Sequence, residues 1–120
     1  MASIYEYAAL ADVEAYTGLD YSVINAQFTQ VNVDAKISIA ERMVNGYLGK
    51  DGAQTITDGI KAATIMIAAK ILHLNLADLG FHGDEEHTQE IVDMSVQSIL
   101  RMFLGYDAGV DAIPMSGADR

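Results

Sequence analysis

The stretch from Ile60 to Leu79 constrains this chain more than any other. It is apolar, nearly long enough to cross a bilayer, and free of glycine and proline. Read as a helix, Ile60, Ala63, Ile67, Lys70 or Ile71, Leu74 and Ala77 or Asp78 trace one face. Ile65, Met66, Ala69, Leu72, Leu76 and Leu79 trace much of the rest. A helix apolar nearly all round is buried nearly all round. Lys61, Lys70, His73, Asn75 and Asp78 argue against a membrane span. A lysine near its middle costs about 2.5–3.5 kcal/mol on the insertion scale. The expectation is a long buried helix over 59–79, capped by Thr57 or Asp58, at the centre of a bundle or covered by a neighbouring subunit.

The remaining segments arrange themselves around it. A short helix is expected from about Ala9 to Thr17, with Asp12 and Glu14 favoured in its first turns and Gly18 closing it. Tyr21 to Val33 is β-branched and aromatic without helical spacing, and reads as a loop or a short extended piece. A second helix starts near Asp34, which can cap it, and runs on Ile37, Ala40, Val44 and Leu48 to Gly49. Glu41 and Arg42 read as its solvated face. After a turn at Gly80–Asp84, a fourth helix is expected over about Glu85–Leu104, stopped by Gly105. The fold class is therefore all-α: a small bundle of about four helices, residues 1–105, with a long central apolar helix and an extended C-terminal tail, residues 106–120. Gly109, Gly117 and Pro114 oppose a helix in that tail, while Tyr106, Val110, Ile113 and Met115 offer spaced apolar anchors for docking on a partner.

At 120 residues, with 51% hydrophobic content, the chain is one domain able to bury a core. It has 17 acids against 7 bases, a net charge of −10, which opposes nucleic-acid binding. The absence of cysteine excludes disulfides, thiolate metal sites and cysteine nucleophiles. Met1-Ala-Ser-Ile-Tyr-Glu-Tyr has no basic run before an apolar one, so no secretory leader is expected there.

Few residues suggest chemistry. His82, Asp84, Glu85, Glu86 and His87 crowd together, but the two histidines straddle a turn and a helix start without a ligand spacing. The acids there suit a helix N-terminus, so no metal and no cofactor are expected. His73, among Leu72 and Leu74, reads as a core or interface histidine. Gly49-Lys-Asp-Gly-Ala is a helix stop rather than a phosphate loop. No nucleophile elbow and no pair of carboxylates in an apolar setting occurs. No catalytic residue is expected, and the chain is read as not an enzyme.

The order of features resembles the head–tail connector (adaptor, or head completion) proteins of tailed phages and related viruses. The resemblance rests on Asp12-Val13 with a closing Gly18, then Ala40-Glu41-Arg-Met-Val-Asn-Gly-Tyr47-Leu48-Gly49. The Ala/Ile/Leu-rich Ile60-Lys-Ala-Ala-Thr-Ile-Met-Ile-Ala-Ala-Lys-Ile-Leu-His follows. It covers about Ala9 to His73. It implies a virion protein without enzymatic activity, assembled in the host cytoplasm into a homo-oligomeric ring, commonly a dodecamer, beneath the portal. Such a ring extends the DNA channel and offers a platform to the tail or stopper. The implied partners are the portal protein, the next tail-side connector or tail completion protein, and further copies of the chain. The tail carrying Tyr106, Val110, Ile113 and Met115 would meet the portal by position. The chain departs from the family in its acidic last third, where Asp78 to Asp119 holds nine acids and only Arg101 as a base.

The rival reading is a small acidic helical regulator or inhibitor that binds one soluble partner. Both readings share one expectation. The chain should show no affinity for duplex DNA at physiological salt, because its scattered bases cannot replace counterions on phosphate. A gel shift at micromolar protein that weakens steeply with added salt would contradict it.

Overall fold

A computed structural model describes residues 3–24, 26–78 and 93–105, with the side chains of 76–78 excepted. Those residues are mostly helical, with no strand among them. Five helices are described: α1 (Leu10–Thr17), α2 (Tyr21–Ile24), α3 (Gln30–Leu48), α4 (Asp58–Asp78) and α5 (Val96–Leu104). The segment holding His82, Asp84, Glu85, Glu86 and His87 and the tail 106–120 lie outside the described residues.

α4 packs against α1, α3 and α5. Thr57 caps it: its hydroxyl accepts from the Ile60 N–H at 3.2 Å. Ile60, Ala63, Thr64, Ile67, Ala68, Ala69, Leu72 and His73 are buried along it. Lys61 and Leu74 are exposed, so Leu74 leaves the buried face on which its spacing placed it. The buried alanines let neighbouring helices approach closely. Thr64 sits in this apolar surface at little cost, because its hydroxyl donates back to the Ile60 carbonyl at 2.8 Å. No helix among the described residues is long and apolar enough to cross a membrane.

α1 agrees with its sequence signals. The Asp12 carboxylate accepts from the Ala9 N–H at 2.9 Å, and Gly18 closes the helix at φ 75°. The segment after it does not behave as expected. Tyr21–Ile24 forms a turn of helix, and α3 begins at Gln30, ahead of Asp34. Thr29 is the cap, accepting from the Asn32 N–H at 3.3 Å, and Asp34 lies buried inside the helix. β-branched Val31 and Val33 are tolerated there because Val33 buries completely. Gly49 ends α3 in the left-handed region at φ 69°, and the Lys50 N–H returns to the Asn45 carbonyl at 3.0 Å.

α5 also starts later than its periodicity suggests. Ser95 is extended at φ −76° and ψ 146°, and its hydroxyl accepts from the Ser98 N–H at 3.0 Å. One helix running unbroken to Leu104 is therefore ruled out across Ser95. Gly105 keeps helical dihedrals and is no left-handed stop. Ile99, Leu100 and Leu104 bury against the rest of the core.

The end of α5 meets the start of α4 at Gly59, where an added Cβ would stand 2.6 Å from the Phe103 carbonyl oxygen. Both sides of that contact are helix backbone, so neither gives way cheaply. Gly59→Ala should therefore separate α4 from α5 and lower stability by about 1–3 kcal/mol, against a helix-propensity gain below about 1 kcal/mol. Urea melts of the two proteins measure the balance, and a more stable alanine variant would show that the contact relaxes.

Candidate functional site

The N-terminal segment is held across α3 by side chains on one helical face. Ser38 accepts from the Ile4 N–H at 2.9 Å. One turn on, the Glu41 carboxylate is 0% exposed. Its Oε1 accepts from the Tyr5 N–H at 2.9 Å, and its Oε2 from the Tyr7 N–H at 2.8 Å and the Ser3 hydroxyl at 2.6 Å. Glu6, between the two donating amides, has φ 56°. That left-handed residue turns the flanking N–H groups toward one anion. Another turn on, Asn45 Oδ1 accepts from the Tyr7 hydroxyl at 2.6 Å. That hydroxyl also accepts from the Gln54 N–H at 2.9 Å, and Asn45 Nδ2 donates to the Gly52 carbonyl at 2.6 Å. The solvated-face reading of Glu41 is thus overturned, because the segment before α1 covers it and supplies three donors. Arg42 does face solvent.

Beside this strap opens a cleft of about 250 Å³. Glu6, Tyr7, Leu10, Asp12, Asp34, Ile56 and Lys61 are among its lining residues. Lys61 and Asp12 face each other at 3.7 Å, a loose and partly exposed pair worth little by itself. Asp34 is only 6% exposed, and its Oδ2 has no hydrogen-bond partner among the described residues. Burial pushes its carboxyl above the ordinary value; a hydrogen bond from Gln30 opposes that shift and the charge of Glu41 adds to it. The cleft therefore carries more negative than positive charge between apolar walls, a setting that receives a cationic group. Among the described residues no group of three side chains could hold a metal ion.

A second buried cluster lies under α2. The Tyr21 N–H donates to Glu14 at 3.2 Å, and the Tyr21 and Thr17 hydroxyls are 3.2 Å apart. Burial pushes the Tyr21 phenol up to about 12. His73 presents its ring edge-on to Tyr21, with centroids 6.4 Å apart, and is a core histidine.

The residues first singled out for partner binding, Tyr106, Val110, Ile113 and Met115, lie outside the described residues, as do His82 and His87. Asp34 and Glu41 were missed as buried groups, although Glu41 falls among Ile37, Ala40 and Val44 on the apolar face of α3. The cleft left no sequence signal, since its walls come from segments far apart in the chain. Comparison with family models, curated proteins and solved structures finds no match.

Two substitutions probe this region. Glu41→Ala strands the donors of Ser3, Tyr5 and Tyr7 and should cost on the order of 3 kcal/mol. Glu41→Gln should cost less, because the amide oxygen still accepts. Denaturant melts order the variants, and an unchanged alanine variant would show that the strap is dispensable. For Asp34 the sign follows from its raised pKa. The folded state favours the protonated acid, so its contribution is present at low pH and lost as pH rises through the raised pKa. Asp34→Asn should therefore be the more stable protein at neutral pH. The difference should close as pH falls below about 4, the ordinary carboxylate range. Thermal melts at the two pH values check it.

Proposed function

We propose that this chain is a head–tail connector subunit: a structural virion protein of the neck, assembled as a ring beneath the portal, that extends the DNA channel and receives the tail or stopper. In this reading the subunit is a small bundle of about four helices with α4 at its centre. Residues 106–120, through Tyr106, Val110, Ile113 and Met115, form an extended arm that meets the portal.

The observation that supports it most is the pairing of α3 with α4. The helix carrying Ala40-Glu41 and ending before Gly49 packs on the alanine-rich helix that follows it in the chain, in keeping with the helical bundle the resemblance implies. The charge balance suits a conduit as well. A wall of net negative charge repels phosphate and lets a duplex slide without being held.

Antibody against the chain should label the neck of virions between head and tail. Truncation after Gly105 should leave the melting temperature unchanged while the subunit fails to join portal-bearing particles. A chain absent from virions and held by one soluble partner would overturn the proposal in favour of a regulator. A truncation that lowers the melting temperature by many degrees would show that the arm belongs to the subunit's own core.

A further inference from the structure

α3 carries apolar residues on two sides, the outer one shared with the exposed Asn32 and Arg42. Val33, Ile37, Ala40 and Val44 turn into the core. Val31, Ala35, Ile39, Met43 and Gly46 recur at steps of four and three residues on the other side. All of them are exposed, Val31 by 61% and Ile39 and Met43 by 38% each. The charges beside this stripe are Lys36 and Arg42. The helix's own acids, Asp34 and Glu41, are both buried. In a chain of net charge −10, this one helix face is positive.

The cleft has the opposite character. Leu10 and Ile56 line it, Glu6, Asp12 and Asp34 outnumber Lys61, and one Asp34 oxygen lacks a hydrogen-bond donor. We infer that the exposed face of α3 on one copy docks on the cleft of a second copy, with Arg42 reaching Glu6 and Asp34. Pairing the stripe with itself would bring the bases of two copies together, whereas the cleft offers them acids. The contact is therefore head-to-tail, with different surfaces meeting, and such contacts close into rings or run on as filaments. The contact stands on the two surfaces alone; its closure into a ring rests on the connector reading.

The magnitude is set by length. The 19 residues of α3 extend about 28 Å. A strip about 10 Å wide then offers roughly a third of the ~800 Å² per partner of a standard interface. One such contact is weak, so association should grow with concentration rather than yield a fixed dimer.

Sedimentation equilibrium up to about 1 mM reads this directly, a concentration that detects contacts of only ~4 kcal/mol. Wild-type protein should form species beyond a dimer. Ile39→Glu and Arg42→Glu should each weaken association at least tenfold with unchanged melting temperatures, since both side chains are exposed. Lys50→Glu, an exposed base off the stripe, should have no such effect. Glu6→Lys should weaken association, and combining it with Arg42→Glu should restore it. A monomer at every concentration, an association that stops at a dimer, an Arg42→Glu protein that assembles like wild type, or a double variant that stays as weak as Arg42→Glu would each overturn the inference. Labelling of the virion neck by a chain whose Arg42→Glu variant still assembles would leave the connector reading standing and remove only this interface.

Discussion

The fold depends on one buried carboxylate. Glu41 lies within the apolar side of α3, where an ionised group without partners would cost several kcal/mol. The segment before α1 removes that cost by wrapping over it with two backbone amides and a hydroxyl. Hydrogen bonds to a charged acceptor are the strong ones, each contributing about 1.5–3 kcal/mol. They act across 34 to 38 residues of sequence, so a short N-terminal strand of chain is tied to the middle of the molecule. The same segment carries Tyr7, whose hydroxyl links Asn45 to the loop before α4. Strap, α3 and the α3–α4 connection are thus one polar network laid over an apolar core.

That network also decides how charge is distributed. Glu41 and Asp34 are the acids of α3, and both are turned inward. What they leave outside is a strip of aliphatic and small residues with Lys36 and Arg42 beside it. A surface of this kind in an otherwise acidic chain arises because the acids that could have balanced it are spent on internal contacts. The buried acid and the basic exterior are two consequences of one helix register.

Much of the architecture was legible in the chain. The helix over 58–78, Thr57 as its cap, and Gly18 and Gly49 as left-handed stops rest on signals within a few residues, which is why sequence carries them. The departures are of another kind. α3 starts at Gln30 because the capping hydroxyl of Thr29 and the burial of Val33 outweigh the weak helix propensity of β-branched residues. The last helix begins at Val96 because the Ser95 hydroxyl caps it from an extended residue. Glu41 looked solvated because its charge was weighed and its position beside Ile37, Ala40 and Val44 was not. Its donors come from Ser3, Tyr5 and Tyr7, and nothing near Glu41 in sequence announces them. The cleft is illegible for the same reason, being assembled from the strap, α1, α3 and the approach to α4.

A conduit subunit and an acidic regulator make different demands on such a molecule. A regulator meets its partner once and gains from presenting its charge broadly. A ring subunit must repel the duplex on one side while adhering to its own acidic copies on another. The second demand is the harder one, because copies of net charge −10 repel each other at distances within about a Debye length, roughly 8 Å in physiological salt. An apolar strip freed of acids and flanked by bases meets it. In the contact inferred between copies, hydrophobic contact would supply the attraction, and Lys36 and Arg42 would lower the local repulsion. The inward turn of Glu41 and Asp34 then serves both ends, since it fixes the strap and keeps negative charge off the face that a neighbour would have to approach.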